Sequence, residues 1–302
     1  MTINKRRLID YTMLLLFIAS SGFPYFTTPA VYITELTLLI LIFLSRRKSF
    51  DPYAIAFFLL LAVLTLLQTA VFDFFAPITT LGLFARVLSA YFIVKILDIR
   101  FTEYYVKTLY ILSILSFAVY IPTLIIPSIG TALLNLTPLF QWLNPDSKSQ
   151  NILIYTLSHL SSLRNSGPFW EPGAFAGYLI IAFIFSYTKT PKLFNKQNLV
   201  LLITILSTLS TTAFLALFVF LFFANYVHMK NIFIKIVAVS LIIFGSYQAF
   251  FSLDFLGKKI TEQIERAQTS SIETDQNSQR FLNILRDMKD LQDHETVGRG
   301  SE

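Results

Sequence analysis

The chain has 302 residues, of which 55% are hydrophobic and 14% charged, with no cysteine, three histidines and a formal net charge of +6. A soluble domain averages about 25% charged residues, so this much apolar surface excludes an ordinary soluble core. The missing cysteines exclude disulfides, thiolate chemistry and cysteine metal sites. The excess of Lys and Arg reads as cytoplasmic loops of a membrane protein rather than a nucleic-acid surface.

The apolar residues come in blocks of about 17 to 25, the length an α-helix needs to span roughly 30 Å of hydrocarbon. They do not alternate as barrel strands would. Lys5, Arg6 and Arg7 precede a first run over about 8–23, and a second over about 29–44 ends at Arg46, Arg47 and Lys48. No small-residue cleavage site lies between them, so the pair reads as a hairpin with both basic ends inside, not as a signal peptide. Further spans are expected at about 53–71, 81–97 and 104–125, the last leading into Pro127.

Parity then places about 127–171 outside, as the first large external loop. A sixth span at about 172–186 starts with Pro172, where a missing N–H costs nothing, and returns to Lys189, Lys192 and Lys196. The stretch 198–226 is long for one helix. Because Lys230 and Lys235 follow it as Lys192 and Lys196 precede it, both of its ends read as cytoplasmic. That requires two short helices turning near Ser207, Thr208, Ser210, Thr211 and Thr212. A span at about 232–250 delivers residues 251–302 to the outside as a second loop.

From residue 252 onward this loop has ten acidic and seven basic residues. Phe281, Ile284, Leu285, Met288 and Leu291 recur within it at helical spacing, which predicts an amphipathic helix over about 278–292. Arg280 falls beside its apolar stripe and Arg286 opposite. The expected fold is thus all-α: one polytopic transmembrane helix bundle over 1–302 with about nine spans and two larger extracytoplasmic loops, its N-terminus cytoplasmic.

The densest local signal is Arg164-Asn165-Ser166-Gly167-Pro168-Phe169-Trp170-Glu171-Pro172-Gly173, continuing through Gly177-Tyr178-Leu179, at the outer mouth of the sixth span. Trp170 suits an interfacial aromatic anchor. Glu171, just before a helix-starting proline, either favours the helix N-terminus or serves as a general base whose pKa partial desolvation raises. Arg164 is either a surface cation near headgroups or a fork for a phosphate. Arg86 lies well inside the fourth span, where a central charge costs about 2.5–3.5 kcal/mol on insertion scales. It either contacts an anionic ligand or pairs with a helix carboxylate such as Glu35. His159 and His228 read as structural. No metal-ligand cluster and no nucleotide-binding glycine loop is present, so neither metal nor other cofactor is expected.

The run from Arg164 to Leu179 resembles the signature of the O-antigen polymerase and O-antigen ligase superfamily, which includes the Wzy-type polysaccharide polymerases. The resemblance rests on Arg164, Gly167, Phe169, Glu171, Pro172 and Gly177-Tyr178-Leu179. It extends to the hydroxyl-rich turn from Ser207 to Ala213 and to Arg280-Phe281 followed by His294 and Gly298-Arg299-Gly300. Members continue through further spans after such a glycine pair, so the resemblance implies a chain truncated at its C-terminus.

It further implies an enzyme of the bacterial cytoplasmic (inner) membrane. That enzyme would transfer a polyprenyl-diphosphate-linked oligosaccharide to a hydroxyl of another lipid-linked unit during O-antigen or exopolysaccharide synthesis, without metal. Glu171 and then His294 are the candidates to take the acceptor proton, while Arg164, Arg280 and Arg86 would bind substrate. Implied partners are the lipid-linked oligosaccharides, membrane lipids, a chain-length regulator and a flippase, and no nucleic acid. An O-antigen ligase with a lipid A core acceptor would use the same chemistry. A lipid-linked oligosaccharide flippase would instead need repeated halves and a charged central path, and a scaffold would tolerate substitution of the Arg164 to Leu179 run.

Overall fold

A computed structural model of the chain describes residues 5–72, 77–143, 150–157, 163–192 and 195–226. These residues are helical apart from turns, short 3-10 segments and a two-stranded hairpin. In chain order they form α1 (Lys5–Gly22), α2 (Pro29–Ser45), α3 (Pro52–Phe72), α4 (Pro77–Leu97), α5 (Phe101–Ile125), α6 (Pro127–Leu134), β1 (Gln150–Asn151), β2 (Thr156–Leu157), α7 (Pro172–Lys189), α8 (Lys196–Ser207) and α9 (Thr211–Tyr226). Proline occupies the first turn of α2, α6 and α7 after an extended residue, the position its fixed φ and missing N–H suit. The Asn195 side chain caps α8 by accepting from the Asn198 backbone N–H at 2.8 Å.

Among the described residues, two helical stretches, Pro52–Val71 and Pro77–Ile125, are long and apolar enough to cross a membrane, judged by length and composition. The second comprises α4 and α5 joined through one 3-10 turn. The short pair expected within 198–226 is present as α8 and α9, with Leu209 between them at a φ of 47°. The expected span at 232–250 and amphipathic helix at 278–292 lie outside the described residues. Within the expected first external loop the structure adds α6 and a 3-10 segment, Thr137–Leu143, where the sequence suggested only loop.

The chain divides into two compact units. In the second, α3 is apolar around its whole circumference and none of its described side chains is buried, the pattern of a helix whose surroundings are apolar. In the first unit α7 packs against α5 and α8, and α1 against α2 and α5. Leu14, Ile93, Leu109, Phe183, Leu201 and Ile205, from five of its helices, are fully buried in one continuous core.

Ion pairs tie one end of this bundle. Arg46, at the end of α2, bonds to the fully buried Asp10 of α1 and donates from Nη1 to the Ile96 carbonyl at 3.4 Å. Arg100 approaches the other Asp10 oxygen at 3.8 Å, Lys48 meets Asp98 at 3.2 Å, and Glu103 lies between Lys107 (2.7 Å) and Lys189 (3.6 Å). The start of α1, the ends of α2, α4 and α7 and the start of α5 therefore share one end. The run beginning at Arg164 lies at the other.

Candidate functional site

Four helix termini converge at that second end: the C-termini of α1, α5 and α8 and the N-terminus of α7. The segment from Leu163 to Glu171 stitches them together. The Tyr120 hydroxyl, near the end of α5, donates to the Leu163 carbonyl at 2.9 Å, and the Trp170 N–H donates to the Gly22 carbonyl at the end of α1 at 3.2 Å. Thr156 of the hairpin donates its N–H to the Gly167 carbonyl at 2.7 Å. The Asn151 side chain, also in the hairpin, donates to the Pro168 carbonyl at 3.1 Å.

Asn165 is the hub of this stitching and is completely buried. Its side-chain amide donates to Ser116 Oγ at 3.0 Å and Ser207 Oγ at 3.1 Å, its Oδ1 accepts from the Gly167 N–H at 3.0 Å, and its own N–H donates to the Ser207 carbonyl at 3.0 Å. One amide thus binds α5, the end of α8 and its own loop. Nothing in the spacing of Asn165 marked it out, because its partners lie 42 to 49 residues away.

Apolar packing fixes the rest of the loop. Phe169 is fully buried and its ring meets those of Phe23 (centroids 5.2 Å apart, edge-on), Phe175 (5.1 Å, stacked) and Tyr178 (4.7 Å). The chain passes so close that a Cβ on Gly22 would sit 2.5 Å from the Phe169 ring. Gly167 adopts a φ of 50°, and a Cβ there would meet the Phe175 ring at 2.7 Å. Conformation and space both require glycine. Burial pushes the Tyr155 phenol, beside this loop, well above its ordinary pKa.

Arg164 and Glu171 bracket this packed loop, and Arg164 reaches the α8–α9 turn. Arg164 donates from Nε to the Thr208 carbonyl at 3.0 Å. Glu171 stands in extended conformation at the N-cap of α7, but its carboxylate makes no capping hydrogen bond. Glu171 Oε1 and Ser210 Oγ flank Gly173, at 3.5 and 3.8 Å from the place a Cβ would take there. Both Arg164 and Glu171 are partly exposed, and Trp170 is 45% exposed, so this group opens at the surface of the bundle. A permanent cation, a carboxylate and hydroxyls on one turn can neutralise an anion and accept a proton from a neighbouring hydroxyl.

Arg86 does not pair with Glu35. Its guanidinium lies over the Tyr32 ring, 4.7 Å from the centroid, a cation–π contact one turn before Glu35 on α2. Glu35 of α2 is buried, interacts with Ser20 of α1, and its Oε1 has no hydrogen-bond partner among the described residues. Arg280 and His294, the other expected site residues, lie outside the described residues, as do His159 and His228.

No protein-family model, no curated protein and no solved structure matches the chain.

Proposed function

We propose that the chain is a multi-pass protein of the bacterial inner membrane with about nine spans and a cytoplasmic N-terminus. In this reading it is a metal-independent polymerase that transfers a polyprenyl-diphosphate-linked oligosaccharide to a second lipid-linked unit. The resemblance of the Arg164 to Leu179 run suggests the reaction. The observation that carries the reading is that Arg164, bonded to the Thr208 carbonyl, and Glu171, which shares the surroundings of Gly173 with Ser210, lie seven positions apart in sequence at one end of the bundle.

The chemistry follows from those groups. An acceptor hydroxyl attacks the anomeric carbon, its C–O bond forms, and the bond from that carbon to the diphosphate oxygen breaks. The electron pair leaves with the polyprenyl diphosphate, whose growing charge Arg164 meets together with Arg280 from the second loop. The acceptor proton passes to the Glu171 carboxylate, with His294 as the second candidate. Placing a cation where charge develops, rather than where it already resides, makes the arrangement catalytic and not merely binding. Arg86 of α4, held over Tyr32, is the third candidate to bind substrate.

The test is complementation of a polymer-deficient bacterial strain with the chain and with Arg164→Ala, Glu171→Ala and Arg280→Ala, reading polymer length at equal protein level. Shortened or absent polymer with accumulation of single-unit carrier-linked glycan is expected. Unchanged polymer in all three variants removes the enzymatic reading. Normal polymer that fails to reach lipid A core would indicate a ligase, and failure of single units to cross the membrane a flippase.

A further inference from the structure

The segment after α5 was expected to be an aqueous external loop, yet its chemistry is that of a lipid boundary. From Thr108 to Pro145 the sequence contains no Asp, Glu, Lys or Arg. One helix accounts for that run only as far as Ile125, the end of α5. Ile126 is extended, as the residue before a proline prefers, and Pro127 starts α6 on a new course. The eight residues of α6 make about 12 Å of helix at 1.5 Å per residue, far short of the roughly 30 Å of hydrocarbon. The 3-10 segment Thr137–Leu143 follows almost at once. This part of the chain cannot cross a bilayer.

Its residues differ in burial. Leu133 and Leu134 pack on the cluster of Val119, Tyr120, Tyr155 and Leu157, which joins the end of α5 to the hairpin. By contrast Ile125 and Ile126 before α6 and Leu136 and Leu139 after it are 71, 50, 44 and 65% exposed. The aliphatic surface of α5, with Ile121 and Leu124 also exposed, runs into them without a charged residue between. An apolar face with no charge to hold it in water, continuous with a helix long and apolar enough to span and attached at its end, fits the acyl-chain edge of a bilayer.

We propose that α6 and the Thr137–Leu143 segment form an interfacial element lying in the lipid surface at the end of the bundle that carries Arg164 and Glu171. Its packed face holds the hairpin, while Leu136 and Leu139 enter the acyl-chain boundary. The proposal rests on the bilayer placement of the chain and is independent of the transfer reaction.

Because the chain has no cysteine, single-cysteine variants need no background removal. Leu139→Cys, Leu60→Cys in α3 and Lys192→Cys after α7 are each spin-labelled in the full chain reconstituted in phospholipid nanodiscs. Access to molecular oxygen, which partitions into lipid, is then compared with access to a water-soluble nickel chelate. The Leu139 label is expected to follow Leu60, losing chelate access and gaining oxygen access, opposite to Lys192. A Leu139 label as chelate-accessible as Lys192 overturns the proposal and restores an aqueous loop. A label shielded from both reagents also overturns it, by showing that protein covers this face. Chelate access at Leu60 as well would remove the bilayer placement itself, and the proposal with it.

Discussion

Arg164 donates from Nε to the carbonyl oxygen of Thr208 at 3.0 Å, joining residues 44 positions apart. Thr208 is the C-cap of α8, where the helix runs out of backbone N–H partners for its last carbonyls. The guanidinium therefore meets the end of a helix where negative partial charge collects, and it does so on the turn that also carries Ser210. The Nε–H donor helps to fix its position. A cation so anchored presents a defined direction to a ligand, which a freely rotating surface arginine does not.

The Asn165 hub should prove the most sensitive polar position of this end. Asn165→Ala strands the buried Gly167 N–H and removes an acceptor-facing amide from Ser116 and Ser207, and a stranded buried donor costs about 1–3 kcal/mol. Thermal unfolding of the detergent-solubilised protein should show a clearly lowered midpoint. An unchanged midpoint would mean that the loop is not held as described.

Two glycines of the same motif should behave oppositely. Gly167→Ala forces a left-handed alanine, at about 1–2 kcal/mol, and drives its methyl into Phe175. Gly177→Ala adds a methyl that meets nothing within 4 Å and should be neutral or stabilising by up to about 1 kcal/mol, since alanine favours a helix interior. Parallel melting curves of the two variants decide the matter.

At the other end of the bundle, Asp10→Asn should destabilise strongly, because breaking a buried ion pair from one side costs about 3–5 kcal/mol. The double variant Asp10→Leu with Arg46→Leu should lose less than Asp10→Asn alone. Denaturant titration of the three proteins in one detergent makes the comparison, and a double variant no better than the single would refute it.

Alkaline stability should depend on Tyr155. Burial raises its phenol pKa in the folded protein above the value of about 10 in the unfolded chain, so the folded state holds its proton longer. The resulting stabilisation is complete below pH 10 and declines as pH rises through the folded-state pKa. Tyr155→Phe should flatten the fall in stability above pH 10, read as the slope of the unfolding midpoint against pH.

Much of the helical order was legible because uncharged runs of spanning length are hard to hide. The α8–α9 pair was legible because the stretch 198–226 is long for one helix and carries a hydroxyl-rich break near Ser207 to Thr212. By contrast α6 was not, because Pro127, Asn135 and Pro138 break its run into pieces that read as turns. Sequence placed Arg86 on the fourth span but could not give the rotation of α4 about its axis. That rotation sets the guanidinium over Tyr32 instead of against Glu35. Asn165 was invisible for a related reason: its partners on α5 and α8 are neighbours only after the helices assemble.

The most direct measurement is polymer formation by the purified chain in nanodiscs supplied with a polyprenyl-diphosphate-linked repeat unit, comparing the wild-type chain with Arg164→Ala and Glu171→Gln. If Arg164 stabilises the departing diphosphate, its removal should lower the rate of transfer about 10²- to 10³-fold. Glu171→Gln should slow transfer with little change in carrier binding. Transfer at wild-type rates by both variants, with the fold intact by melting temperature, would contradict a catalytic site at the Thr208–Ser210 turn.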